Sequence, residues 1–324
     1  MRPILLAAAC MAIAAPGLMA QGSATLTHAK QQFDARNWDV AKQDYMALAK
    51  ATPTDATPVL YLGRIALAQG DNEEGIRQFE RCAAIDDRFA DCHLWLGNAL
   101  GSAAQRANKF KLPFLAKRTK HEFDRAVELD PNSIDARSGV LQYYMLAPGF
   151  LGGSMEKARE QAAEIDKRNK LRGALAYGML ADHEKNTHDA EAAYQRAVAA
   201  APDSAVGYNG LVNLYAREKR WSDAFATLDR VATRIPTEPN VPLAIARVAY
   251  LSGEQLPRGE EAAKRWIASP PHDASTNSRA VGHLRLGNIY EKTGRKELAR
   301  AEYEMALSLN PKLEDAKKGL DAVK

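Results

Sequence analysis

A 34-residue recurrence constrains this chain more than any other feature. Its plainest copy is residues 280–311, AVGHLRLGNIYEKTGRKELARAEYEMALSLNP, which reads as two amphipathic helices joined by a tight turn. Leu286, Gly287 and Tyr290 fall at i, i+1 and i+4 on the first helix; Ala299, Tyr303 and Ala306 recur at i, i+4 and i+7 on the second. Both spacings mark one face of a helix with roughly 3.6 residues per turn. Gly294 stands where the first helix must stop, and Pro311 where the second must. Neither helix can bury its apolar face alone, so the unit demands copies stacked beside it.

The rest of the chain supplies them. Residues 171–204 keep Gly178, Ala190, Tyr194, Ala197 and Pro202, and residues 205–238 keep Tyr208, Leu211, Tyr215, Ala224, Leu228 and Pro236. Residues 56–89 hold Leu62, Gly63, Phe79 and Cys82 in register; residues 22–55 hold Ala29, Phe33, Trp38, Ala41, Tyr45 and Pro53. This pattern resembles the tetratricopeptide repeat (TPR) family over nearly all of residues 22–313, although the family's first tryptophan position is not kept. The resemblance implies an all-α, right-handed solenoid of about eight helix-turn-helix repeats. The expected repeats are 22–55, 56–89, 90–131 with an insertion over 101–113, an irregular 132–170, 171–204, 205–238, 239–274 and 280–313. The charged amphipathic helix at 314–324 is the expected C-terminal cap, and STNSR, at 275–279, reads as a short linker.

Small residues at the eighth and twentieth repeat positions let paired helices approach closely, while large ones fill the gaps between pairs. A mid-helix glycine costs about 1 kcal/mol against alanine. Gly63, Gly97, Gly178 and Gly287 are therefore expected to recover that loss as packing.

The first twenty residues, MRPILLAAACMAIAAPGLMA, stand apart from the repeats. Arg2 supplies a positive start, Ile4 to Ala15 an apolar stretch, and Leu18-Met19-Ala20 a small-residue cleavage site. The expectation is a secretory signal of bacterial character, cut after Ala20, with the periplasm as destination. A lipoprotein cut at Cys10 would leave only about six apolar residues ahead of it, too few for a working signal. No later stretch reaches the roughly 18 apolar residues of a membrane span. The formal net charge of +4 is too balanced to suggest nucleic acid as a partner.

Signatures of catalysis are missing: no HExxH, GxSxG, P-loop or dinucleotide-binding glycine pattern occurs in a fitting context. No catalytic residue, cofactor or metal is expected. His183 and His188, with Asp182 and Asp189 nearby, read as solvated turn residues rather than ligands. The loop GFLGGS reads as a stretched turn rather than a phosphate cradle, one that can present Phe150 and Leu151 to a partner.

Three features bear on binding. From Cys92 to His121 there is no acidic residue, while Arg106, Lys109, Lys111, Lys117, Arg118 and Lys120 interleave with Phe110, Leu112, Phe114 and Leu115. Residues 106–120 therefore suit an anionic partner or membrane surface, or else form a solvated extension packed on their own repeat. Cys82 and Cys92 face each other across a helix turn, which leaves a disulfide and two buried small residues both open.

The third feature is implied by the resemblance. In TPR proteins the first helices line a concave groove, and the ninth and thirteenth repeat positions commonly face it. The ninth position here gives Lys30, Arg64, Asn98, Val140, Met179, Asn213, Arg247 and Asn288; the thirteenth adds Arg217 and Lys292, against Asp34. Asparagine can pair with the amides of an extended peptide and arginine with carboxylates. The expected function is a non-enzymatic scaffold holding a protein or peptide, acidic or ending in a C-terminal carboxylate, in this groove. The competing reading makes these residues consensus asparagines and ordinary surface cations. Two other classes compete: a structural subunit of a cell-envelope or secretion assembly, which would expose an apolar patch outside the groove. The second is a small-ligand or transporter-associated binding protein, which would enclose a cavity lined by Tyr143, Tyr144 and Phe150.

Overall fold

The computed structural model describes residues 25–271 and 274–324, so the expected signal segment, its cut after Ala20, and Cys10 lie outside the described residues. Seventeen α-helices and one 3-10 turn follow one another, with no strand among the described residues. The first four are α1 (Leu26–Asp34), α2 (Trp38–Ala51), α3 (Thr57–Ala68) and α4 (Asn72–Ile85). Next come α5 (Ala90–Gln105), α6 (Leu112–Leu129), α7 (Ile134–Leu146), the 3-10 turn Gly149–Leu151, α8 (Met155–Arg168), α9 (Lys170–His183) and α10 (Thr187–Ala200). The C-terminal part holds α11 (Ala205–Arg217), α12 (Trp221–Arg234), α13 (Val241–Ser252), α14 (Leu256–Ala268), α15 (Thr276–Lys292), α16 (Lys296–Leu309) and α17 (Glu314–Ala322). Each helix packs on the one before and the one after it. Odd-numbered helices also touch the next odd-numbered helix, as α5 does α7 and α13 does α15. Eight helix pairs and a terminal cap thus stack as a solenoid whose inner row is the first helix of each pair.

The core explains the mid-helix glycines. A Cβ on Gly178 would lie 2.5 Å from the Tyr194 ring, and one on Gly210, in the next repeat, would strike the same ring from the other side. Phe123 sits in the same way between Gly97 and Gly139, and Tyr303 between Gly287 and Gly319 of the cap. One aromatic ring from a second helix is thus clasped by glycines on two successive first helices, or on the first helix and the cap. Phe79 closes on Gly63 and stacks on Trp95 of the next repeat, ring centroids 6.1 Å apart. The lost helix propensity is offset because only glycine lets backbone lie directly on a ring.

The irregular centre departs from the regular pattern through its helix ends. The extra residues of 101–113 become helix: α5 runs to 16 residues and α6 to 18, with Pro113 in the first turn of α6. Only residues 106–111 remain as a connection. In the α7–α8 connection, Tyr143 donates from its hydroxyl to the Leu151 carbonyl, and Gly153 lies so close to the Ala147 carbonyl that no side chain fits. The linker expected at 275–279 is instead the start of α15. Ser275 caps it, its Oγ accepting from the Ser278 amide at 3.0 Å. That cap outweighs the weak helix propensity of the residues it precedes.

Cys82 and Cys92 are joined in a disulfide, Cα atoms 5.6 Å apart and both residues wholly buried, tying α4 to α5. Beside it, His93 is 4% exposed, its Nδ1 2.7 Å from Glu122 Oε2 and its Nε2 3.0 Å from the Asp87 carbonyl oxygen. The Glu122 bond raises the His93 pKa above its ordinary 6.5, against the opposing effect of burial; the Asp87 carbonyl and the Asp87 and Glu122 charges also raise it. A raised folded-state value stabilises the fold fully below the unfolded value, and that contribution disappears as pH rises through the folded value. Melting at about pH 6 and pH 9 should therefore show lower stability at the higher pH, and His93→Gln should shrink that difference. An unchanged difference would detach it from this histidine.

Candidate functional site

The inner row places the expected groove residues unequally. Lys30 on α1 and Asn98 on α5 are exposed. Arg64 on α3 is half-buried in an aromatic box, its guanidinium carbon 4.7, 4.9 and 4.7 Å from the ring centroids of Phe33, Tyr61 and Trp95. Its Nε is buried without a partner, so much of its role is to hold three rings of repeats one to three together. Val140 is buried and Met179 exposed, so the ninth position of the irregular repeat turns into the core. Asn288 also differs from the groove expectation. It is only 7% exposed, and its Oδ1 accepts from the Tyr303 hydroxyl at 3.0 Å inside the last clasp.

Arg217 is exposed but already answered. Its guanidinium lies 2.7 Å from Asp182 of the preceding repeat and 3.4 Å from Glu218. Asp182 accepts from the Tyr194 hydroxyl as well, at 2.8 Å. Lys292 is exposed at the end of α15, its ammonium 5.8 Å from the Tyr250 ring centroid.

Two half-buried guanidiniums without carboxylate partners lie along α13 and α15, beside α11. Arg247 is half-buried and donates to Asn213 Oδ1 at 2.6 Å, joining the inner helices of repeats six and seven. Arg285, one turn before Asn288, is half-buried and has no hydrogen bond among the described residues. Neither guanidinium has a carboxylate within 4.0 Å among the described residues, although both are half-buried. Burial pushes the pKa of both down, and for Arg285 the neighbouring Arg247 charge adds to the effect, partly opposed by Asp315 and Tyr250. Two like charges drawn partly out of water without counter-ions form a local site for an anion. Arg285 falls outside the ninth and thirteenth positions. Its signal in the sequence is the i, i+3 step to Asn288, which puts it on the same stripe.

No group of three or more His, Cys, Asp or Glu residues is placed to hold a metal among the described residues, and His188 is exposed against Asp189. No helix among them is long and apolar enough to cross a membrane. Tyr143 and Phe150 line a cleft of about 490 Å³ with Pro113, Lys117, Lys120 and His121, but it opens to solvent. A larger cleft, about 860 Å³, lies between α10 and α12, with Tyr208 of α11 in its lining.

Stacked antiparallel helix pairs with a polar inner row define a helical-repeat protein–protein interaction scaffold. Tetratricopeptide repeat models match residues 26–91, 178–239 and 280–313, together half of the chain. The chain belongs to the tetratricopeptide repeat family. Comparison with curated protein sequences returns no match. Among solved structures, a tetratricopeptide repeat protein from Parabacteroides merdae is 14% identical, covering 83% of this chain and 98% of its own, with a TM-score of 0.52. A thermophilic TPR protein from Thermus thermophilus is 17% identical, covering 59% of this chain and 94% of its own, with a TM-score of 0.49. At 14% identity the Parabacteroides merdae structure speaks to the fold alone.

Proposed function

We propose that the protein is an exported, non-enzymatic scaffold that holds an acidic peptide segment or a C-terminal carboxylate over α11, α13 and α15. The observation that carries this reading is the pair Arg247 and Arg285, half-buried and without carboxylate partners. An incoming carboxylate would supply the missing counter-charge to guanidinium donors whose fork matches it in two bonds. Asn213 and Lys292 flank the pair with further donors, whereas Arg217, engaged by Asp182, contributes less. Export rests on the sequence of residues 1–20, and N-terminal analysis of the protein recovered from its own cells should find Gln21 first.

The groove reading is tested with a fluorescent Asp/Glu-rich decapeptide, prepared with a free and with an amidated C-terminus. Arg247→Gln with Arg285→Gln should weaken binding at least about tenfold, the loss expected for charge-assisted hydrogen bonds. Arg217→Gln should weaken it less. A preference for the free terminus would assign the site to a terminal carboxylate, and equal binding to both an internal acidic segment. Unchanged affinity in the folded double variant would remove the groove from consideration.

A further inference from the structure

The three most protruding aromatic side chains lie on one edge of the solenoid. Phe110 is 81% exposed, Phe150 83% and Phe114 64%, and Leu146, the last residue of α7, is 52% exposed. Phe110 belongs to the α5–α6 connection and Phe150 to the α7–α8 connection, while Phe114 sits in the first turn of α6; the two connections join helices within successive repeats and therefore emerge on the same side. The 3-10 turn packs on α6, and Phe150 and Leu151 share one open cleft with Pro113, Lys117, Lys120 and His121. Two sequence irregularities thus build one platform.

Its charge is one-sided. Lys109, Lys111 and Lys117 have no carboxylate within 4.0 Å among the described residues, and the Lys109 ammonium lies 5.3 Å from the Phe110 ring centroid. Farther from the tip, Arg118 is paired with Glu80 and Lys120 with Asp124. Lys120 and Lys157 also flank the Tyr144 ring, at 5.2 and 5.7 Å. Glu156 stands in the first turn of α8, and Glu122 is buried against His93.

We propose that this edge docks on the surface of an anionic phospholipid bilayer. A peptide or protein partner would call for a groove or a flat apolar patch, whereas Phe110 and Phe150 stand on separate projecting turns, with Phe114 at the start of α6. Rings on projecting turns enter the interfacial layer of a bilayer without needing a complementary shape. Lysines beside them extend aliphatic stems along the rings while their ammonium groups meet lipid phosphates. The contact is peripheral, consistent with the absence of a spanning helix among the described residues. It is independent of the inner groove, which lies on other residues.

Sedimentation with vesicles tests this, using the full chain so that its apolar N-terminal segment is common to every variant. Binding to vesicles of phosphatidylcholine mixed with phosphatidylglycerol should exceed binding to pure phosphatidylcholine and should fall as salt is raised. K109Q/K111Q/K117Q should lower the partition coefficient on mixed vesicles about a hundredfold, near the level on neutral ones. F110S/F114S/F150S should weaken binding to mixed vesicles while leaving peptide binding in the groove and the melting temperature unchanged. The proposal is overturned if phosphatidylglycerol adds nothing, or if neither variant changes the gain. It is equally overturned if the phenylalanine variant instead abolishes self-association of the protein, which would assign the edge to a protein contact.

Discussion

Replacing Tyr194 with alanine should destabilise the protein by about 3–5 kcal/mol, the cost of removing a large aromatic side chain from a packed core. Few positions should be more sensitive, because the ring is held between Gly178 and Gly210 on two successive inner helices. No side chain is available on either glycine to collapse into the void, so the cavity persists. Filling from the other side fails as well: Gly210→Leu would thrust a branched side chain into the ring and should cost about 1–3 kcal/mol by overpacking. Tyr194→Phe isolates the hydroxyl, which donates to Asp182 at 2.8 Å, and should cost only about 1 kcal/mol. Urea unfolding followed by circular dichroism measures all three. A Tyr194→Ala loss no larger than that of Tyr194→Phe would mean that the clasp contributes little.

Opening the disulfide should be the second large effect. Cys82 and Cys92 close a short loop, ten residues apart in sequence, and such a crosslink stabilises by about 3 kcal/mol, chiefly by restricting the unfolded chain. The bond joins α4 of repeat two to α5 of repeat three, and in a solenoid each repeat draws its stability from its neighbours. Reduction should therefore loosen the N-terminal repeats first. Hydrogen exchange with and without reductant should show faster exchange in α3 to α5 while α13 to α16 stay unchanged. Uniform protection in both states would mean that the thiols pack as well apart as joined. The Cys82→Ala, Cys92→Ala variant separates loss of the bond from reactivity of the thiols.

Much of this architecture was legible in the residues because the repeat signal is local. Gly294 and Pro311 bound their helices through backbone chemistry that any reader of the sequence can apply. Helix pairs recur along both ends of the chain, α1–α4 and α9–α16, with the spacing that such a local signal carries. What escaped depends on neighbours in other helices, half a repeat to a full repeat away along the chain. Gly210 and Gly139 look like weak points of their own helices, and their meaning comes from a ring about 16 residues earlier in the chain. Asp182 cancels Arg217 across a repeat boundary, which no single-helix pattern displays. Asn288 fits the donor row by position, yet the approach of Tyr303 draws it inward. Arg285 lies outside the ninth and thirteenth positions, and it joins the inner stripe only through its i, i+3 spacing to Asn288. The fate of residues 275–279 turned on one capping serine, stronger than the loop-like composition around it.

The glycine clasps also define what a separable piece of this chain is. A cut at a repeat boundary, such as after Pro202, leaves one face of Tyr194 bare to water. A cut after Arg217 covers that face, because Gly210 then remains. The natural module is therefore out of phase with the repeat: it begins at one first helix and ends at the next. The cap obeys the same grammar, with Gly319 standing where another repeat's glycine would be. In this chain, inheritance by duplication would have to copy a helix more than the period suggests, or leave an aromatic without its second wall.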